Sequence, residues 1–180
     1  MTKIISLALS LVFLCTTSAL ADDLIKIGVL TDLSGNASYY GNQTRVGAIL
    51  AERELQAQGK NVRVVFEDSA LSTAKGLAAA QKLITVDKVD ALFVDFSSIA
   101  VAVSSILEGH DKVMVYGAAA ESVARKNAYA FKTYSDYALG CEALVKEFLK
   151  KGVKKIGVLK AETEYGDLCL AGAKRVATIT

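Results

Sequence analysis

The sequence predicts an α/β protein with a parallel sheet and helices on both of its faces. Three observations carry this. Short apolar runs alternate with longer stretches whose apolar residues recur at i, i+3, i+4 and i+7, the signature of strand–helix–strand units. The turns after the runs (32–40, 68–72, 95–98, 117–122 and 162–165) are all polar or aromatic. The turns on the opposite side (59–60, 88–90, 109–112 and 152–155) are short and look like plain solvated connections. Ligands of such sheets bind beyond the carboxyl ends of the strands, so this asymmetry marks a single functional edge.

Residues 1–21 have the make-up of a secretory signal. Lys3 supplies the positive start, and Ile4–Leu14 is an apolar run too short to span a bilayer. Ala19-Leu20-Ala21 forms a small-residue cleavage site before Asp22. Leu14 before Cys15 is a poor residue for a lipoprotein signal, so a soluble exported protein is expected. No later stretch is long enough and uncharged enough to cross a membrane.

Ile25–Leu30 reads as the first strand, and the loop to Gly41 carries Tyr39 and Tyr40. A helix is expected from there to about Gln58, with Gly47, Leu50, Ala51 and Leu55 on its buried face and Gly59 as its stop. Gly47 is expected to permit close helix–sheet approach. Val62–Phe66 alternates around Arg63 and suits an edge strand. Ser72 is placed as the cap of a helix whose Leu77, Ala80 and Ile84 face the sheet.

Ala91–Val94 then runs into Asp95-Phe96-Ser97-Ser98, after which Ile99, Ala102, Val103 and Ile106 mark an amphipathic helix. The serine pair is expected to cap that helix, whose free amides and dipole attract negative charge. Asp95 is assigned to a salt bridge within the domain rather than to a ligand. Val113–Tyr116 is a fourth strand, leading into Gly117–Ser122, and Tyr129–Thr133 is extended. Ser135 or Asp136 caps a helix with Cys141, Leu144, Val145 and Phe148 on its apolar face. Ile156–Leu159 is expected as a further strand and Tyr165–Thr178 as the last helix.

Composition narrows the function. Lys and Arg number 21 against 19 Asp and Glu, for a net charge of +2, which makes no electrostatic case for nucleic acid. Proline is absent, against a usual ~5%, so turns must rely on Gly, Asn, Asp and Ser. The sole histidine, His110, falls on the edge opposite Ser97, and there is no G-x-S-x-G elbow, which argues against a serine hydrolase. One histidine and two separated cysteines make no metal-ligand set. Cys141 and Cys169 are read as two small buried residues, although an exported chain also allows them to pair. A phosphoacceptor receiver is a rival, because Asp32, Asp95 and Lys160 each end a strand. The export signal and the long stretch between Asp32 and Asp95 speak against it. Asn36-Ala37-Ser38 and Asn42-Gln43-Thr44 match the glycosylation pattern and are read as chance.

Several short motifs, in order, resemble the type I periplasmic solute-binding proteins of ABC importers, in particular the branched-chain amino acid (leucine-binding protein) group. They are Ile27-Gly28-Val29-Leu30 followed by Leu33-Ser34-Gly35 and Tyr40-Gly41; Gly47 and Ala51; Ala78-Ala79-Ala80-Gln81-Lys82-Leu83-Ile84; Ser97-Ser98; and Tyr165-Gly166. The resemblance runs from about Leu24 to Val176. It implies two α/β lobes closing on a small solute, with residues 1–21 as signal peptide, 22–134 as lobe 1 and 135–180 as the incomplete beginning of lobe 2. Members of the group are considerably longer, so it implies a truncated product or a fragment. It further implies a non-catalytic periplasmic component without cofactor or metal, partnered by a membrane permease. The solute would be an amino acid or related carboxylate, and the alternative is the ligand-sensing extracytoplasmic domain of a receptor.

Carried over onto this sequence, the resemblance assigns Ser97, with Ser98 beside it, to the ligand carboxylate. It assigns Ala118 and Ala120 to carboxylate and amine contacts, and Tyr40 and Tyr165 to aromatic walls. The group's threonine hydroxyl falls at Ala120, which has none, and its usual prolines are missing.

Overall fold

The computed structural model describes residues 23–160 and 162–178. Residues 1–21, read above as an export signal, lie outside that range. The chain forms β1 (Ile25–Thr31), α1 (Ser38–Ala57), β2 (Val62–Asp68), α2 (Thr73–Thr85), β3 (Ala91–Asp95), α3 (Ser97–Leu107), β4 (Val113–Gly117), α4 (Glu121–Lys126), β5 (Ala130–Lys132), α5 (Tyr137–Lys150) and α6 (Glu164–Lys174). All strand pairs are parallel, in the order β2-β1-β3-β4-β5. The expected α/β class holds, and β2 takes the edge position its one-sided alternation suggested.

Alternation along the strands divides the sheet into two unlike faces. Leu30, Leu92, Val94, Met114 and Tyr116 point to one side. There they pack in a single cluster with Ala80 and Leu83 of α2 and Ile99, Val103 and Leu107 of α3. These side chains are almost wholly removed from water, each worth roughly 1.5–3 kcal/mol. Gly76 lets α2 and α3 meet, since a Cβ there would come within 2.8 Å of Ile99 Cγ2. The other face carries Ile27, Val29, Val64 and Phe93 and is covered by α1. That helix stands off from the sheet and leaves an apolar cavity of about 420 Å³ beneath it.

The expected role of Gly47 is therefore corrected. Gly47 is exposed, and nothing lies within 4 Å of where its Cβ would be. The close approach occurs one turn and a half earlier, at Gly41, where a Cβ would fall 1.8 Å from the Asp32 carbonyl oxygen. Periodicity found the correct helix but not the glycine that the first loop passes over.

Two further expectations fail for reasons of partnership. Residues 156–159 form no strand; among the described residues no ladder pairs with them, and Leu159 is wholly exposed. An apolar β-favouring run becomes a strand only when another strand satisfies its backbone. Cys141 and Cys169 are bonded to each other, joining α5 to α6, so their reading as separate buried residues is overturned. The helices meet closely at Gly172, where a Cβ would fall 2.0 Å from the Ala138 carbonyl oxygen. The distance between two helices decides such a bond, and no single-helix periodicity contains it. Asp136, one of the two residues proposed, caps α5 through bonds from the Ala138 and Leu139 amides.

The glycines and the disulfide give two measurable outcomes. Gly41→Ala is expected to lower stability by about 3 kcal/mol or more, because its methyl meets fixed backbone. Gly47→Ala is expected to raise it by about 0.5–1 kcal/mol through helix propensity. Thermal unfolding of the two variants should therefore move in opposite directions. Replacing both cysteines by serine opens a link across 28 residues. On the loop-entropy account this costs about 3–4 kcal/mol, localised by hydrogen exchange to α5 and α6.

Candidate functional site

The registers bring the strand ends to one rim: Thr31 pairs with Asp68 across β1 and β2, and Asp95 with Gly117 across β3 and β4. An acid stands at or just past the end of three strands, and each organises the loop around it. Asp32, fully buried, accepts from the Gly35 and Ala37 amides at 2.6 and 2.7 Å, folding the first loop around its carboxylate. Asp68 accepts from the Leu33 and Ala70 amides, both at 2.8 Å, and from the Ser34 hydroxyl, so it ties the first loop to the second. Burial pushes the Asp68 carboxyl upward. The bonds from the Ser34 hydroxyl and the Leu33, Ala70 and Ser34 amides outweigh it, and the group lies below its ordinary value.

Asp95 is different. It accepts from the Thr31 hydroxyl at 2.8 Å and from the Thr44 hydroxyl, and takes no amide. Burial dominates here and raises its pKa above the ordinary value against both hydroxyl bonds. The salt bridge expected for it is not formed with any described residue.

The turn after Asp95 also departs from expectation. Phe96 occupies the cap position of α3 with φ 69°, a left-handed backbone that costs energy in a non-glycine residue, and no side chain caps the helix. Ser97 is thus the first helical residue. Its Oγ accepts from the Ala119 amide at 3.1 Å, pinning the loop after β4 to the start of α3. An oxygen that already accepts one bond keeps its own proton to donate elsewhere.

These elements frame an open cavity of about 610 Å³ between the sheet's carboxyl rim and the pair α5–α6. Asp95, Phe96, Ser97, Gly117, Ala118 and Ala119 form its floor, with Tyr40, Gln43 and Thr44 on one side. Tyr134, Tyr137 and Tyr165 form the other side. Tyr134 and Tyr137 stack with centroids 5.8 Å apart and planes 3° from parallel, and Tyr165 leans on Tyr137 at 5.9 Å and 52°. The bond with the Tyr134 hydroxyl, then burial and the neighbouring phenols, hold the Tyr137 phenol above its ordinary value.

Four of the six residues singled out by resemblance therefore line one cavity: Tyr40, Ser97, Ala118 and Tyr165. Two do not. Ser98 is exposed outside the lining. Ala120 is fully buried outside the lining, and its carbonyl accepts from the Tyr116 hydroxyl at 2.9 Å. Asp95, Thr44, Tyr134 and Tyr137 were missed as lining residues. Tyr134 and Tyr137 flank the Asp136 cap and share a side with Tyr165 only because α5 packs on α6. The receiver-type acidic pocket does not form, since Asp32 is committed to amides and Lys160 is paired with Glu162 and Asp167 at 3.0 Å each.

A parallel sheet with helices on both faces and a cavity at its carboxyl rim is the architecture of an α/β protein whose loops, rather than its core, meet that open space. The profile of the periplasmic binding protein family matches residues 24–179, and the chain belongs to that family. It is 31% identical over 169 residues to the Leu/Ile/Val-binding protein homolog 6 of Brucella abortus, covering 91% of this chain and 43% of that protein. A solute-binding protein of an ABC transporter from R. palustris, solved with 4-hydroxybenzoate, superposes with a TM-score of 0.77 at 28% identity, over 86% of this chain and 43% of that one. The substrate-binding protein of a branched-chain amino acid transporter from Streptococcus pneumoniae, solved with isoleucine, has the same fold. Its TM-score is 0.78 at 22% identity, over 86% of this chain and 47% of that one. The chain thus spans less than half the length of these relatives.

The two rim acids make opposite predictions. A lowered carboxyl stabilises the fold above the unfolded value of 3.8 and loses that contribution as pH falls through its folded value, which is the Asp68 case. A raised carboxyl contributes below 3.8 and loses the contribution as pH rises through its folded value, which is the Asp95 case. At neutral pH, Asp68→Asn should therefore melt below the wild type and Asp95→Asn above it. Both gaps should close on acidification, as read by circular dichroism melts across pH.

Proposed function

We propose that this chain is the solute-recognition part of an extracytoplasmic binding component of an ABC importer, without catalysis of its own. In this reading residues 1–21 direct export to the periplasm, residues 22–134 are the first lobe and residues 135–180 begin the second. The observation that carries it is the cavity itself. Ser97 presents a hydroxyl proton from the first turn of α3, tyrosines stand on both sides, and the rim meets α5 and α6 where a second lobe would close.

The solute is a small polar molecule bearing a carboxylate, an amino acid or a related acid. Its carboxylate is held by the Ser97 hydroxyl near the start of α3, where the helix dipole adds to the attraction. Tyr40, Tyr165 and the backbone at Ala118 complete the contact. The relatives solved with isoleucine and with 4-hydroxybenzoate both hold small carboxylates, which supports the class of ligand without choosing within it. A membrane permease is the partner in this reading.

Thermal-shift screening of the intact protein against amino acids and small aromatic and aliphatic acids tests it. At least one should raise the melting temperature, and Ser97→Ala should weaken that ligand by about ten- to a hundredfold in calorimetry, the range for one charge-assisted hydrogen bond. No stabilisation by any of them, with Ser97→Ala equally silent, overturns the reading.

A further inference from the structure

The cavity contains one acid and no base. Among its lining residues the only carboxyl, amino, imidazole or guanidino group is the carboxyl of Asp95. Its neighbours there are hydroxyls, backbone, an amide side chain and aromatic rings, and the faces of tyrosine rings are themselves electronegative. A site of this kind attracts positive charge.

The three rim acids show that Asp95 is not held as its counterparts are. Asp32 and Asp68 each accept at least two amide N–H groups, fixed donors that compensate a carboxylate well. Asp95 has only the rotatable hydroxyls of Thr31 and Thr44, and no described cation pairs with it. Gly117 beside it places no side chain over Oδ1, where a Cβ would come to 3.0 Å. A half-buried carboxylate kept under-compensated costs stability, and such costs persist where a ligand supplies the missing partner. Two residues along the same turn, Ser97 offers a hydroxyl proton to the same cavity. The left-handed Phe96 between them lets acid and hydroxyl face one space.

We propose that Asp95 receives the positively charged group of the solute, so that the cavity selects an ammonium-bearing solute over the same skeleton without the ammonium. This rests on the reading of the cavity as the solute cleft. Asp95 thereby supplies from the first lobe the polar partner that Ala120 does not provide.

Calorimetry of the intact protein with two matched pairs tests it: L-leucine against 4-methylpentanoate, and L-phenylalanine against 3-phenylpropanoate. The wild type should bind at least one amino acid tenfold or more tightly than its deaminated partner. Asp95→Asn should abolish that preference while leaving the deaminated acid's affinity unchanged or improved. An undiminished preference in Asp95→Asn overturns the inference, because the charge is then read elsewhere. An equal loss for both members of a pair also overturns it and makes Asp95 a fastening between β1, α1 and β3. Deaminated acids that bind the wild type as tightly as the amino acids defeat the inference and leave the cleft standing. No binding by any of the four probes, with the wider screen also silent, defeats the cleft reading itself. If Asp95→Asn does not fold by circular dichroism, Asp95→Glu decides: moving the charge by one methylene must narrow the preference, and an unchanged ratio overturns the assignment.

Discussion

The site depends on carboxylates standing at the ends of parallel strands. A parallel sheet delivers several strand ends to one rim, where the backbone leaves the ladder and its amides lose their partners. Here Asp32 and Asp68 take up those amides, and the first and second loops are fastened to the rim and to each other. Gly41 then lies against the Asp32 carbonyl, which locks the start of α1 over the rim. Two buried or half-buried acids and one glycine thus set the course of the chain that leads into the Tyr40–Thr44 side of the cavity.

Most of the fold could be read from the sequence, because strand and helix periods differ and the chain alternates cleanly between them. Every strand that has a partner was anticipated, and so were the caps Ser72 and Asp136. What escaped depends on pairs of elements rather than on one. The run at 156–159 has the composition of a strand and lacks a neighbour. Cys141 and Cys169 bond because α5 and α6 approach at Gly172 and Ala138. Gly47 has the right phase, lining the space under α1 with Ala51 and Leu55, but no atom comes within 4 Å of its Cβ position; Glu52 and Gln56 hold α1 to β2 instead.

The lining of the candidate cavity was legible in part. Tyr40, Ser97, Ala118 and Tyr165, singled out by resemblance, border one cavity because each sits in a rim loop or at its edge. The detail at 96–98 was not legible. A serine pair before an amphipathic run reads as a cap, yet Phe96 takes the cap position in a left-handed turn, and Ser97 is drawn instead to the Ala119 amide across the rim. Ala120 lies buried outside the cavity, with its carbonyl turned to the Tyr116 hydroxyl from the strand before it.

The aromatic side of the cavity has an optical consequence. The chain holds seven tyrosines and no tryptophan, so phenol emission is not drained to an indole. Four of the seven, Tyr40, Tyr134, Tyr137 and Tyr165, border this one space, and three of those touch ring to ring. Energy passing among neighbouring phenols depolarises their light, and anything that enters between them or shifts α5 against α6 alters that exchange. The cavity thus carries a built-in optical reporter of any change within it, legible without a dye or a label.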